Sequence, residues 1–292
     1  MPGALAAQSD RAAAIRRVLI GLLVANLAVV AAKVVIGLRA GSLSVLGDAL
    51  HSSVDALNNV IFLALMHVAA RAPDDDHPYG HTKFEVLGAV AILVFLSVTV
   101  FELLKGAVLD LLRGGVPPAL TPLDLVALGV TLAVNVWVAW FETRAGRRLA
   151  SDLLLADAAH TRADVLITSG VLAGGWLSRR GVPYVDAAIA VLISGLIVRI
   201  AWQIVRRAVP VLVDQVAREP AAIRRTAESV EGVATAYAIR SRSAAGTVFA
   251  ELTIGVRGDL AVDRAHAIAD TVEARLKQDL RLDEVVVHIE PC

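Results

Sequence analysis

Cysteine is almost missing: the only one is the last residue, Cys292, so no internal disulfide can be drawn. Charge of neither sign dominates. Lys and Arg together number 28 and Asp and Glu 28, which leaves no basic footprint for nucleic acid. Aromatics are sparse at 4%, and the tryptophans are too scattered to line a cage. There is no Walker loop, no H-E-x-x-H and no G-x-S-x-G, so no motif for nucleotide hydrolysis or proteolysis is visible, and no enzyme is expected. Arginines precede the first apolar run, but no small-residue cleavage site follows and Lys33 interrupts it. A retained helix is expected there rather than a removed leader.

What the chain has in excess is apolar residues, 57% of the whole, unevenly distributed. About 20 apolar residues span a bilayer as a helix. Six stretches qualify: Val18 to Leu38, Leu43 to Ala70, Phe84 to Leu112, Leu123 to Phe141, Leu153 to Leu177, and Val185 to Val205 with an extension toward Val213. Gly41, Pro73 with Pro78, the run from Gly114 to Pro118, and Gly181 with Pro183 separate them. Six spans put both ends on one side. Arg11, Arg16, Arg17, Arg71, Lys83, Arg144, Arg147, Arg148, Arg206 and Arg207 fall on that side. Arg39, Arg113, Arg179 and Arg180 fall opposite, and the excess marks both termini as cytoplasmic.

Residues 1–213 are thus expected to form an all-α membrane domain, and residues 214–292 a soluble α+β domain. In the latter, Pro220 to Val230 begins like a helix with proline in its first turn. Ala234 to Arg240 and Thr247 to Val256 read as strands joined at Ala244 to Gly246. Val262 to Leu280 has helical periodicity, and Glu284 to Ile289 is a last strand. The order α-β-β-α-β fits a small open sheet with helices on one face.

Two segments share one spacing: Asp48-Ala-Leu-His51-Ser-Ser-Val-Asp55 and Asp157-Ala-Ala-His160-Thr-Arg-Ala-Asp164. Positions i and i+4 share a helix face, so each presents an imidazole and a carboxylate together. Two such helices facing one another offer two nitrogens and two oxygens, a natural tetrahedral site for a divalent metal such as zinc. The bland alternative is that these groups tie helices together by hydrogen bonds. A central Asp costs roughly 2.5–3.5 kcal/mol in a bilayer, and the repeated spacing favours the metal. Asp48 is read as a solvated entrance residue. Asp157 stays open between ligand, proton acceptor and entrance residue. Asn58 and Asn59 are read as packing or supporting groups.

A second constellation lies between Asp74 and Glu85, D-D-D-H-P-Y-G-H-T-K-F-E, where carboxylates meet His77 and His81. It can hold a cation, or be a solvated acidic turn that caps a helix. Pro78 and Gly80 favour a shaped loop. A third cluster is His266, His288 and Glu290. The last two share a strand face, although each alone would more often be an ordinary surface residue. Lys33 is expected to snorkel or pair within the bundle. Glu102 and Lys105 are expected to neutralise each other.

Together these features resemble the cation diffusion facilitator family of metal/proton antiporters, over nearly the whole chain. The resemblance rests on six spans, H-x-x-x-D in the second and fifth, the Asp74 to Glu85 loop, and the terminal α-β-β-α-β domain. It implies that His51, Asp55, His160 and Asp164 form the transport site, that Asp74, His77 and His81 form a cytoplasmic loop site, and that Lys83 and Asp214 are an interdomain or dimer ion pair. It also implies a homodimer whose terminal domain has a metallochaperone-like fold and binds metals. His266, His288 and Glu290 match ligand positions there, but two further family histidines are Tyr237 and Thr253 in this chain.

The His/Asp, His/Asp quartet matches the zinc-type members, which implies Zn²⁺ as transported substrate and possible regulatory ligand, and discrimination against cadmium. The resemblance further implies alternating access, with zinc entering from the cytoplasm and displacing a proton from His51 or His160, since only neutral imidazole ligates. Iron, cobalt or manganese export is the alternative within the family, with manganese suiting more carboxylate and less imidazole. A membrane-anchored metal sensor and a passive cation channel are the rivals outside it. The expected location is a bacterial plasma membrane.

Overall fold

The computed structural model describes residues 2–40, 43–113, 122–178, 180, 184–244 and 246–292, with their side chains except those of 2–9, 37, 40, 43–45, 47, 48, 51, 113, 123 and 178. Gly41, the Gly114 to Pro118 breaker, Arg179, Gly181 to Pro183 and Ala245 lie outside these residues, as do the side chains of Asp48 and His51.

Six long helices fill the first part: α1 (Pro2–Ala40), α2 (Leu43–Ala69), α3 (Lys83–Arg113), α4 (Pro122–Arg148), α5 (Asp152–Ser178) and α6 (Val185–Leu212). Among the described residues five of them, all but α5, are long and apolar enough to cross a membrane. The exception is as long as α2 and α4, but Asp152, Asp157, His160, Arg162 and Asp164 dilute its hydropathy. Helix α1 starts well before the expected Val18, because alanines and arginines continue the helix beyond the apolar run.

Ile15, Leu19, Phe62, Ile92, Leu96, Leu153, Leu154 and Ile197 meet in the bundle core. Helix α3 approaches α5 closely at Gly88, where a Cβ would come within 2.7 Å of Leu153, the small-residue contact common between membrane helices. Val24, Val94, Phe101 and Leu192 remain exposed, as expected of surfaces turned to lipid. Arg144, Arg180 and Arg206 lie over the rings of Trp140, Trp176 and Trp202, at 6.0, 4.2 and 5.4 Å. Such pairs suit the membrane–water boundary.

The chain separates into two compact units, one over Leu5–Ala208 and the other centred on Val209–Cys292. The second contains α7 (Pro220–Glu228), β1 (Thr235–Ala244), β2 (Thr247–Val256), α8 (Val262–Leu280) and β3 (Glu284–Pro291). The sheet order is β1-β2-β3, with β1 antiparallel and β3 parallel to the central β2. Strand β1 runs on to Ala244, past the expected Arg240, after a register shift between Tyr237 and Arg240. The core joins Ile223 and Ala227 of α7, Ile254 of β2, and Val272 and Leu276 of α8.

Candidate metal centres

Helix α5 carries His160 and Asp164 one turn apart, and α2 brings Asp55 opposite them. His160 Nε2 lies 3.4 Å from Asp55 Oδ1 and 3.9 Å from Asp164 Oδ2. Ligand bonds of roughly 2.0–2.2 Å in tetrahedral geometry would put ligand atoms about 3.3–3.6 Å apart. The three ligand atoms lie within 4.8 Å of one another, so they need little rearrangement to share an ion. His51 belongs to the same helix as Asp55, one turn before it, and its side chain lies outside the described set.

A second layer surrounds these three. Asn26, Asn58, Asn59, Asn135, Glu142, Asp157 and Thr161 line the same cavity, whose volume of about 20 Å³ for a water-sized sphere suffices for one water or ion. Glu142, Asp157 and Thr161 are all buried. The Thr161 hydroxyl donates to Glu142 Oε2 at 2.9 Å. Buried polar atoms normally have partners, yet among the described residues His160 Nδ1, Asp157 Oδ2 and Asn58 Oδ1 have none. A polar residue inside an apolar run was the available signal for Asn135, and one directly after its end for Glu142; sequence reasoning missed both.

A larger cavity of about 220 Å³ shares Asn26, Asp55, Asn135 and Asp164 with the small one. It continues past Lys33 and Thr131 toward the end of α1. Lys33 is buried, and its Nζ donates to Ser52 Oγ at 2.9 Å. At the opposite end of the bundle, Glu85 is buried and accepts from Arg11 at 2.9 and 3.1 Å and from the Ser151 hydroxyl at 2.5 Å. Glu85, expected among the loop carboxylates, thus belongs to an interhelical pair.

The loop before α3 brings its expected residues together. Asp74 Oδ1 accepts from the His77 backbone N–H at 2.7 Å and lies 3.2 Å from His77 Nδ1. Asp74 Oδ2 lies 3.4 Å from His81 Nε2, and the two imidazole centroids are 4.2 Å apart. Gly80 closes the turn with φ of +79°, a conformation that side chains resist. Burial draws the Asp74 carboxyl upward, but hydrogen bonds from the His77 backbone and ring, with both imidazoles nearby, outweigh it and hold the group below the usual carboxylate range.

In the terminal unit the three candidate ligands divide. His288 Nε2 lies 3.6 Å from Glu290 Oε1, whereas His266 Nε2 lies 3.7 Å from Asp270 Oδ1. Among the described residues only the Asp55 and Asp74 clusters gather three ligand atoms. Tyr237, Thr253 and His288 occupy one row across the sheet, Tyr237 paired with Thr253 and Thr253 with His288. Tyr237 donates its hydroxyl to Glu290, which, as the main cause, raises the phenol above its ordinary range. Asp214 Oδ1 lies 3.5 Å from Arg242 Nη1, and Lys83 is the first residue of α3.

Apolar helices with histidine and carboxylates gathered between them define a multi-pass membrane protein that handles cations. Comparison with known proteins gives the family. The cation efflux transmembrane domain matches residues 19–213, and the cation efflux cytoplasmic domain matches residues 217–292. Metal tolerance protein 2 of Oryza sativa subsp. japonica is 33% identical, over 91% of this chain and 76% of that protein. The manganese efflux system protein MneS of Bacillus subtilis strain 168 is 27% identical, over 91% and 92%. The cation-efflux pump FieF of Shewanella oneidensis is 29% identical, over 91% and 90%. Among solved structures, a nickel form of a MamM CTD variant is 30% identical over 24% of this chain and 90% of that one, with a TM-score of 0.23.

The chain belongs to the cation diffusion facilitator family. It is a divalent cation efflux transporter, not an enzyme, with a cytoplasmic C-terminal domain.

Proposed function

We propose that this transporter exports Zn²⁺ in exchange for protons, by alternating access in a homodimer, with His51, Asp55, His160 and Asp164 as its transport site. The observation that carries the reading is the convergence of Asp55, His160 and Asp164 from two helices, at spacings close to those of a tetrahedral ion. Imidazole ligands favour zinc over manganese. Asp55, Asp157, Asp164 and Glu142 line one small cavity and repel one another when ionised. A divalent cation relieves that repulsion, and so do bound protons. That exclusivity is the basis of exchange: metal and proton compete for the same groups.

Both termini are cytoplasmic in this reading, and the membrane is a bacterial plasma membrane. The cavity past Lys33 then lies on the outer side of the site, and the Arg11–Glu85 pair lies at the cytoplasmic end, an arrangement that suits outward release. Asp74, His77 and His81 are a cytoplasmic loop site that binds or guides the cation. The cytoplasmic match is a dimerisation-type domain, in keeping with a homodimer. Its own metal site, from His266, His288 and Glu290, is incomplete within one chain.

Manganese is the second reading, favoured by two relatives named as manganese efflux proteins, MneS and MneP of Bacillus subtilis strain 168. Proteoliposomes with an imposed pH gradient test both. Gradient-driven zinc uptake that Asp164→Ala and Asp55→Ala abolish, with both variants inserted and dimeric, supports the proposal. Normal transport by both variants places the site elsewhere. Uptake of manganese but not zinc selects the second reading, and uptake indifferent to the gradient indicates a channel.

A further inference from the structure

Three arginines of the bundle share one pocket that cation transport leaves unused. Arg147 near the end of α4, Arg162 in α5 and Arg207 near the end of α6 line a cavity of about 130 Å³, with Asp152 as the one carboxylate on its wall. Among the described residues none of the three arginines forms an ion pair with a carboxylate. Arg162 is held in place: Nε donates to the Ala158 carbonyl and Nη2 to the Thr143 hydroxyl, each at 3.1 Å. Three guanidiniums against one carboxylate, in a recess between helices, form a site short of negative charge. Guanidinium forks match phosphate oxygens.

The recess is continuous with a second, open groove that shares Thr143, Arg147 and Arg162 and adds Arg144 and Arg148. Its other wall is apolar, made of Val136, Ala139, Trp140 and Val165. Val136 and Trp140 are 50% and 58% exposed on a helix long and apolar enough to span the membrane. A basic recess opening onto a lipid-facing apolar groove has the two halves of a phospholipid: phosphate, then glycerol and chain. Free phosphate would use only the first half.

We propose that the arginine-lined recess between α4, α5 and α6 binds the phosphate of an anionic phospholipid whose glycerol and upper chain lie against Trp140. The leaflet is the one that Arg147 and Arg148 face, the cytoplasmic one by the charge rule. The site is distinct from the transport site and stands whichever metal is carried.

The test uses delipidated full-length protein, titrated with phosphatidylglycerol, phosphatidylcholine or inorganic phosphate. Retained lipid is counted by native mass spectrometry, and the thermal midpoint is followed in parallel. Phosphatidylglycerol is expected to bind and raise the midpoint, while phosphatidylcholine and inorganic phosphate do neither. Arg207→Gln and Arg162→Gln are each expected to weaken phosphatidylglycerol about fivefold, with Arg162→Lys intermediate and Arg71→Gln, outside the pocket, unchanged. Arg207→Gln and Arg162→Lys keep the test available if Arg162→Gln fails to fold. Equal retention by wild type and pocket variants overturns the proposal. Protection by inorganic phosphate alone assigns the recess to a soluble anion, and equal binding of phosphatidylcholine reduces it to an apolar groove; either result also overturns it.

Discussion

Arg11 of α1 and Glu85 of α3 form a two-pronged ion pair, Nη1 to Oε2 at 2.9 Å and Nη2 to Oε1 at 3.1 Å. Arg11 also donates to the carbonyls of Leu149 and Ala150 at 2.7 and 2.8 Å, so one side chain ties three segments of the bundle together. Glu85 is 2% exposed and Arg11 19%. Removing Arg11 leaves a buried carboxylate without its cation. Arg11→Gln is expected to cost about 2 kcal/mol in stability, below the range for a fully buried pair because Arg11 is partly wet. Glu85→Gln should cost a similar amount, and the double variant less than the two losses added. Thermal unfolding in detergent gives all three values. Additive losses would show that the pair is not coupled.

Glu142 lines the cavity of Asp55, His160 and Asp164, the proposed transport site, and accepts a hydrogen bond from Thr161. Glu142→Gln keeps an oxygen that accepts from Thr161 but can no longer ionise when a cation enters the cavity. Apparent metal affinity in uptake assays is expected to fall about tenfold to a hundredfold, with transport retained at high metal. Thr161→Val should lower affinity in the same direction while leaving the carboxyl in place. If Glu142→Gln abolishes transport at every metal concentration, Glu142 acts at the ion and not behind it.

Asp74 tests the loop. Asp74→Asn retains an oxygen for the His77 backbone N–H, so the turn should hold its shape while loop cation binding falls at least about tenfold. The measurement is equilibrium binding in an Asp164→Ala background, which removes a ligand of the proposed transport site. The pH dependence has a definite sign. A carboxyl held below its usual range stabilises the turn above the unfolded value, and that contribution is lost only as pH falls through the lowered folded one. The turn should therefore survive acidification past the ordinary carboxylate midpoint of 3.8, and Asp74→Asn, with no carboxyl to protonate, should abolish the loss that sets in below it.

The sequence and the structure agree where the information is local. Strand β2 (Thr247–Val256) and helix α8 (Val262–Leu280) have the ends that their periodicity predicts, and the i, i+4 spacing places His160 and Asp164 on one face. Partners far apart in the chain are a different matter. Arg11 read only as one of the charges that orient the termini, and Glu85 as part of the acidic loop, because nothing local links them. Glu142 and Asn135 went unnoticed because α4 reads as an apolar span, and a lone polar residue acquires meaning only when another helix comes opposite. The convergence of α2 on α5 was legible because the same His-to-Asp spacing of four occurs on both.

The terminal sheet allows a gain of function, which is a stricter test than a loss. Tyr237, Thr253 and His288 are cross-strand neighbours in one row, and neighbours across strands stand roughly 4.5–5.5 Å apart at Cβ. Imidazoles at the first two positions would join His288 and Glu290 on one surface. Tyr237→His also removes the hydroxyl that now occupies Glu290, freeing that carboxylate to ligate. The Tyr237→His/Thr253→His variant, in an Asp164→Ala background, is expected to bind one more zinc per chain than Asp164→Ala alone. Each single variant should bind less tightly, because zinc needs about four ligands. Bound zinc counted after dialysis decides it, and His288→Ala in the double variant should return the count to its starting value. An unchanged count would mean that the row lacks a ligand the sheet itself cannot supply, and would direct attention to His266 and its partner Asp270.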